Sequence, residues 1–388
     1  MHICFITSEY PKKGFTHGGI GTFIKTIGEA LVKSGHKVTI VGINNYTRKN
    51  EVGNENGILI HHLRPRIFKG LTWHLNYQSI NRTLESVHRQ NPIDIIESSE
   101  LGLAFIKKIK GIKYIIRLHG GHHFFAEAEN RSISWWKAYQ EKRSFKKADG
   151  FIAVSEYVKT HTAKYLSYHN KPIIIIRSPI NFKLFQSESS DKIVPHTILF
   201  AGTVCEKKGV HKLIEAMPIV CSTYPDAQLH IYGRDWYFPD GGSYITYLKT
   251  AVLPKLGTIA SQIKFMGPVP IEILAEKYAQ AEVCVFPSLM ETQGLVAPEA
   301  MATGKLVVFS KYGPGPETIE HGETGLLCDS YNPADIADQI KWAFNHPQKA
   351  TEIAKAGAKF VFENFELKKI LQMNVAYFQS IIKSEQEV

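Results

Sequence analysis

The feature that most constrains this chain is an alternation. Short apolar, β-rich runs are followed by amphipathic helical stretches; the pattern stops at a polar segment and then starts again. In the first half His2–Ser8, Lys37–Val41, Gly57–Leu63, Ile93–Glu97, Tyr114–Leu118 and Gly150–Val154 read as strands. Helices lie between them, among them Gly21–Ser34, with Phe23, Ile24, Ile27, Ala30 and Leu31 on one face, and Ile80–Arg89. Ser178–Thr197, punctuated by Ser and Pro, reads as a linker. Strands recur at Thr197–Ala201, Gln228–Tyr232, Gln262–Met266, Val283–Phe286, Leu306–Phe309 and Gly325–Cys328, and a last amphipathic helix covers about Glu366–Ile382. Apolar strands alternating with helices predict parallel sheets covered on both faces. The expected fold is α/β, with two Rossmann-like doubly wound domains facing a central cleft. Their expected extents are 1–187 and 188–365, with a C-terminal helix of about 366–388 able to pack back on the first domain. Open parallel sheets bind ligands beyond the C-terminal ends of their strands, so the loops after strands are where chemistry is to be sought.

A chain of 388 residues has room for two such domains. Its 44% hydrophobic and 21% charged residues exclude a disordered or collagen-like chain. No apolar run approaches the roughly 18 residues that would span a bilayer. The five cysteines, Cys4, Cys205, Cys221, Cys284 and Cys328, are odd in number, widely spaced and without a CxxC pair. Neither a disulfide framework nor a zinc site is expected from them. The opening MHICFITSEY is strand-like and lacks the layout of a signal peptide, so a reducing, cytoplasmic setting is expected.

The most informative stretch is Pro287–Ser310, PSLMETQGLVAPEAMATGKLVVFS. It follows an apolar strand and is expected to start a helix near Gly294, with Glu291 in the turn and Glu299 in the early helical turns. The amides of Gly294, Leu295 and Val296 would be among the unpaired donors of a helix start, which suits a phosphate. Carboxylates on either side suit the hydroxyls of a sugar and a ribose. Acids are also common at helix starts for electrostatic reasons alone, and the spacing does not separate the two readings.

Several further motifs stand in order along the chain: HGGIGTF (His17–Phe23), LHG (Leu118–Gly120), KKADGFIAVSE (Lys146–Glu156), RSPINFKLF (Arg177–Phe185), AGTVCEKKG (Ala201–Gly209) and GPGPETIEHGETGLL (Gly313–Leu327). With the E-x7-E arrangement of Glu291 and Glu299, this set resembles the retaining GT-B glycosyltransferases, specifically glycosyltransferase family 4, over nearly the whole chain. The resemblance implies that Glu299 binds the ribose hydroxyls of a nucleotide donor. It implies that Glu291 holds the transferred sugar, helped by the backbone of Gln293 and Gly294. Leu295 and Val296 would offer amides to the diphosphate, Lys208 would neutralise it, and Val269 would meet the base through its backbone. Gly18 and Gly19 would admit the diphosphate, and His119 would touch the transferred sugar near the reacting centre.

Two positions depart from the pattern. Thr203 stands where the family has an arginine beside the phosphate, and Lys207 and Arg234 are the candidate replacements. Gln293 stands where an aromatic residue is common. No DxD motif occurs, so a diphosphate-bridging metal is not implied, and the resemblance implies no cofactor. The implied function is metal-independent transfer of a hexose, glucose first, from a nucleotide-diphosphate sugar, UDP first. The acceptor would be a glycan or lipid-linked molecule in surface-polysaccharide assembly. A UDP-sugar epimerase on the same architecture, or a non-catalytic nucleotide-sugar sensor, are the alternatives. A glycosidase also uses two carboxylates but needs neither a glycine loop nor a phosphate lysine. His119–His123 packs three histidines into five residues, which admits a metal site or a plain strand-end cap.

Charge is unevenly placed. Residues 1–187 hold 28 basic against 13 acidic side chains, and 188–388 hold 18 against 23. Within 101–150 the balance is 11 to 4, with Lys107, Lys108, Lys110 and Lys113, then Trp135–Trp136 followed by Lys137, Lys142, Arg143, Lys146 and Lys147. One reading is a first domain that approaches an anionic membrane or a lipid-phosphate-linked acceptor, peripheral to the inner face of the membrane. The other is a solvated helix face with half-buried tryptophans. No nucleic-acid-binding motif accompanies the charge, so nucleic acid is not an expected partner.

Overall fold

The structure is a computed structural model that describes residues 1–12, 18–129, 131–185 and 193–383. It divides into two units, Met1–Pro179 with Leu367–Val388, and Ile180–Glu366. Each is a parallel-sheet α/β domain.

The first unit holds β1 (His2–Ile6), β2 (Lys37–Ile43), β3 (Glu51–Glu55), β4 (Ile58–Leu63), β5 (Ile95–Ser98), β6 (Lys113–Leu118), β7 (Gly150–Ala153) and β8 (Ile173–Ile175). Their order across the sheet is β3-β4-β2-β1-β5-β6-β7-β8, parallel apart from the β3–β4 hairpin. Its helices are α1 (Gly19–Lys33), α2 (Thr72–Gln90), α3 (His122–Ala128), α4 (Trp135–Lys147) and α5 (Glu156–Ala163). Ile3, Phe5, Ile40, Ile95, Ile115 and Ile152 form the middle of the sheet, and α1 covers them with Phe23, Ile27 and Leu31. Burying one such side chain stabilises by about 1.5–3 kcal/mol, which is why apolar strand runs dictate the fold.

The second unit opens with the turn α6 (Phe182–Phe185), inside the expected linker near its start, and builds β9 (Thr197–Ala201), α7 (Val210–Cys221), β10 (Gln228–Tyr232), α8 (Tyr244–Tyr247), β11 (Ile263–Gly267), α9 (Ile271–Gln280) and β12 (Val283–Phe286). It continues through α10 (Val296–Ala302), β13 (Leu306–Ser310), α11 (Gly315–Thr318), β14 (Leu326–Cys328), α12 (Pro333–Asn345) and α13 (Pro347–Phe365). The strand order is β11-β10-β9-β12-β13-β14, all parallel.

The chain then returns to the first unit as α14 (Leu367–Lys383). A buried polar clasp holds it there. Arg117, 1% exposed, donates from Nε and Nη2 to both oxygens of Glu97 at 2.7 and 3.0 Å, and Nη2 also donates to Asn374 Oδ1 of α14. Tyr377 Oη of α14 accepts from Phe151 N–H at 2.9 Å and donates to Pro172 O at 2.8 Å. Strand order reverses direction once in each sheet, between β1 and β5 and between β9 and β12. These switch points open a crevice at the C-terminal strand ends, and the candidate residues gather at both.

Candidate active site

In the second unit the loop after β9 and the loop after β12 face each other across the switch point. β9 runs into a single 3-10 turn, Glu206–Lys208, closed by Gly209 at φ +66°. A Cβ on Gly209 would stand 1.8 Å from Pro287 O, so only glycine lets this turn press against the end of β12. Leu289 and Met290 seal the contact by donating their N–H groups to Lys207 O at 2.9 and 3.2 Å. This brings Lys208 Nζ onto Glu291 Oε1, which also accepts from Ser288 Oγ at 3.1 Å. The lysine and glutamate side chains are 21% and 11% exposed, so the ion pair is sheltered yet open to a ligand.

Beyond Glu291 the chain turns through Gly294 at φ +76°, where a Cβ would meet Phe309 Cζ at 2.6 Å. Leu295 caps α10, which starts at Val296, two residues later than the sequence pattern predicts. The first amides of a helix have no carbonyl behind them, so the backbone here presents donors beside the Lys208–Glu291 pair. Gln293 is buried in the turn. Glu299 stands in the first turn of α10 and keeps an edge open to solvent, while the surrounding protein pushes its carboxyl up to about 8. Burial is the cause: a carboxylate there loses hydration with no cation to replace it.

Thr203 lacks the arginine's charge, but Val204 N–H donates to Arg234 O at 2.9 Å and draws the end of β10 alongside. Arg234 Nε thereby lies 3.4 Å from Thr203 Oγ1, so a guanidinium from the neighbouring strand stands at the vacant position. Val269 follows β11, two strands from β9, and is half-buried against the core.

The first unit gathers the other candidates. His119 follows β6, and beside it at the β1–β5 switch lies a cavity of about 310 Å³ walled by Glu9, Ile20, Ser98, Arg117 and His119, among others. Gly18 caps α1 and Gly19 opens it, while His17 lies outside the described residues. A Cβ on Gly18 would stand 2.5 Å from Glu9 Oε2. The His119 ring packs 5.7 Å from Phe23. Burial, with Arg117 adding to it, holds the imidazole down to about 3, so it is neutral at physiological pH.

Two carboxylates that the sequence reading passed over position this loop. Glu100, 3% exposed, accepts His119 N–H at 2.7 Å, and burial pushes its carboxyl up to about 8. Glu141 of α4, fully buried, accepts the His122 and His123 amides and pairs with His123 Nδ1. His122 Nε2 accepts Ser134 N–H at 2.8 Å. The histidine cluster is thus tied into the protein, and among the described residues no group of three or more His, Cys, Asp or Glu is arranged to hold a metal ion. Glu100 follows β5 at a switch point, a position that by itself marks a candidate; Glu141 carries no such signal.

Comparison with known proteins follows the same division. Residues 17–184 match the family model described as Glycosyltransferase Family 4, and residues 184–360 match the one described as Glycosyl transferases group 1. An uncharacterized glycosyltransferase of Methanocaldococcus jannaschii is 26% identical over 98% of both chains. Bacillus subtilis YtcC is 32% identical over 48% of this chain, and the match spans about half of that relative's length, 45%. Sucrose-phosphate synthase of Thermosynechococcus elongatus superposes with a TM-score of 0.83 at 21% identity, covering 97% of this chain and 98% of that one. Anabaena HepE, solved in complex with UDP and glucose, superposes at 0.77 with 18% identity, covering 98% and 100%. At such identities the superpositions establish the shared fold.

Proposed function

Because the chain belongs to the GT-B glycosyltransferases of the family 4 kind, we propose that it is a retaining hexosyltransferase acting on a UDP-sugar, UDP-glucose first. Its acceptor is a glycan or lipid-linked molecule in surface-polysaccharide assembly, reached at the inner face of the membrane. The observation that carries the reading is the Lys208–Glu291 pair beside the Gly294–Val296 amides at the β9–β12 switch. Cations, amide donors and carboxyls within one loop pair fit a nucleotide diphosphate and a sugar together. The UDP and glucose held by HepE, on the same fold, make that donor the one to test first.

In the reaction the bond from the anomeric carbon to the diphosphate oxygen breaks, and the electron pair stays on the diphosphate. Lys208 and the amides of Leu295 and Val296 stabilise that charge as it develops. Arg234 supplies the second cation that Thr203 lacks, which favours turnover over a sensor role. The acceptor hydroxyl bonds to the anomeric carbon on the face the diphosphate leaves, and its proton passes to a diphosphate oxygen. Glu291 orients the sugar hydroxyls with the backbone of Gln293 and Gly294. Glu299, protonated in part at neutral pH, both donates to and accepts from the ribose hydroxyls. Val269 meets the base, and Gly18 and Gly19 keep the phosphate-side role the resemblance implies. His119, neutral, hydrogen-bonds the transferred sugar. No metal or cofactor takes part in this reading.

Replacing Glu299 by alanine tests it. Donor hydrolysis and transfer should both collapse; wild-type rates in that variant would refute the assignment. A thermal-shift panel of UDP-, GDP- and ADP-sugars should single out one base, since a ligand stabilises according to its affinity for the folded state.

A further inference from the structure

A second cavity, of about 680 Å³, is lined by α2, the 105–108 segment and α4 in the first unit. Trp73 and Tyr77 wall both it and the His119 cavity, so the two are neighbours across one aromatic partition. Its lining is basic. Arg82 and Lys107 face it without a carboxylate partner among the described residues. Lys108 is engaged by Asp149 at 2.6 Å, and Arg143 donates from Nε to Ala104 O at 2.8 Å while lying over the Phe105 ring. Lys147 donates to Ile106 O. Burial, then Arg143 and Lys108, brings its ammonium down to about 8. The one acid on the wall, Glu85, has Arg89 as its partner at 3.7 Å.

An aromatic path leads outward from this cavity. Phe105 stacks on Trp136 at 5.7 Å, and Trp136 contacts Trp135 at 5.9 Å and Tyr139 at 5.7 Å. Trp135 is 77% exposed, and the segment entering α2 exposes Ile67 at 85% and Phe68 at 60%. Exposed tryptophan, tyrosine and aliphatic side chains next to a basic cavity match the interface of an anionic bilayer, where rings sit at headgroup depth and cations meet phosphates. A sugar or an anionic polymer would use the rings and the charge but leave Ile67 and Phe68 uncovered.

We propose that this cavity is a binding site for the phosphate of an anionic membrane lipid, with Trp135, Ile67 and Phe68 seated in the bilayer interface. The inference rests on the reading of a membrane-proximal acceptor and deepens it. A lipid phosphate held by Arg82 and Lys107 lies one aromatic wall from His119, so a sugar attached to such a lipid has a short path to the reacting centre.

Co-sedimentation of the full chain with phosphatidylcholine vesicles, with and without phosphatidylglycerol, tests the site. Binding should require phosphatidylglycerol. The double variant Arg82→Glu with Lys107→Glu should weaken it by about thirtyfold or more, at the usual worth of about 1 kcal/mol per cation near an anionic surface. Trp135→Ala should weaken it by about tenfold. Both variants should keep the wild-type thermal shift with UDP-glucose, which shows that they fold and spares the donor site. Wild-type chain that shifts with UDP-glucose but ignores the vesicles overturns the lipid site and leaves the transferase reading standing. Vesicle binding without a UDP-glucose shift supports the lipid site and strikes the donor assignment instead. Undiminished binding by the double variant, or heparin binding as tight as vesicle binding and indifferent to Trp135→Ala, overturns the site as well.

Discussion

At the switch point of the first unit, three carboxylates are already committed to the protein: Glu97 to Arg117, Glu100 to the His119 amide, Glu141 to the His122–His123 loop. At the switch point of the second, Glu291 holds Lys208 and Ser288, and the Lys208 and Glu291 side chains stay within reach of solvent. The first arrangement fixes backbone and leaves a cavity whose histidine is neutral. The second keeps a cation and amides available for an incoming anion. The excess positive charge of residues 1–187 belongs to neither. Much of it lies around α4 and the 107–113 segment. Charge at a site and charge on a domain are thus separate properties.

The largest expected effect is on stability. Glu97→Ala leaves Arg117 charged and buried, with Asn374 its remaining side-chain partner, and its Nη1 is already without a partner. Breaking a buried pair in this way costs about 3–5 kcal/mol, to be read from urea unfolding. It should also loosen α14, which Arg117 clasps. Lys208→Ala should do the reverse. Its pair is partly open to solvent, so unfolding should change by no more than about 1 kcal/mol. The transfer rate should fall by about 10²–10³-fold, the usual loss when a transition-state charge loses one stabilising partner. If Lys208→Ala unfolded the chain as readily as Glu97→Ala, the contrast between the two sites would fail.

Much of this organisation was legible in the sequence, because burial leaves a clear trace. Val283–Phe286 reads as a strand since all four side chains are buried, and the chemistry of its following loop is written in consecutive residues. Other elements left weaker traces. Glu51–Glu55 has no apolar alternation and exposes its middle; it is a strand only because Asn56-Gly57, with φ of +51° and +84°, turns it back onto β4. An Asn-Gly pair is the favoured two-residue hairpin turn, so the signal was present but short. Glu141 was illegible for another reason. It lies 18 or 19 residues from the amides it holds, on a helix whose other charges are mostly exposed, and only tertiary packing singles it out. Arg234 was one of two candidates named from the sequence for the charge Thr203 lacks, and pairing across 31 residues is what brings it there.

A pH titration separates the sites at intermediate effect. Glu100 and Glu299 are each pushed from 4.5 up to about 8 by burial. A carboxyl raised in this way keeps its proton in the folded chain after the unfolded chain has lost it. Its contribution to stability is therefore complete below about 4.5 and declines as pH rises toward about 8. Glu100→Gln should flatten the fall of the urea midpoint across that window, while leaving UDP-glucose affinity at the wild-type level. Glu299→Gln should flatten it too but weaken the donor. Equal donor affinity in both variants would remove the functional distinction drawn between them.

The smallest effect tests whether the second cation is real. Arg234 is exposed and reaches Thr203 Oγ1 by one long hydrogen bond, so its removal should barely alter stability. A solvated guanidinium beside a diphosphate is worth about 1–1.5 kcal/mol, so Arg234→Ala should lower kcat/KM for the donor by about tenfold. Thr203 stands close enough for an arginine there to occupy the same space. Thr203→Arg introduced into the Arg234→Ala chain should therefore restore most of the lost kcat/KM, whereas Thr203→Gln, of similar length without the charge, should not. Recovery by glutamine would mean that Arg234 acts through shape alone, and the electrostatic account of the second unit would then rest on Lys208 and the backbone amides.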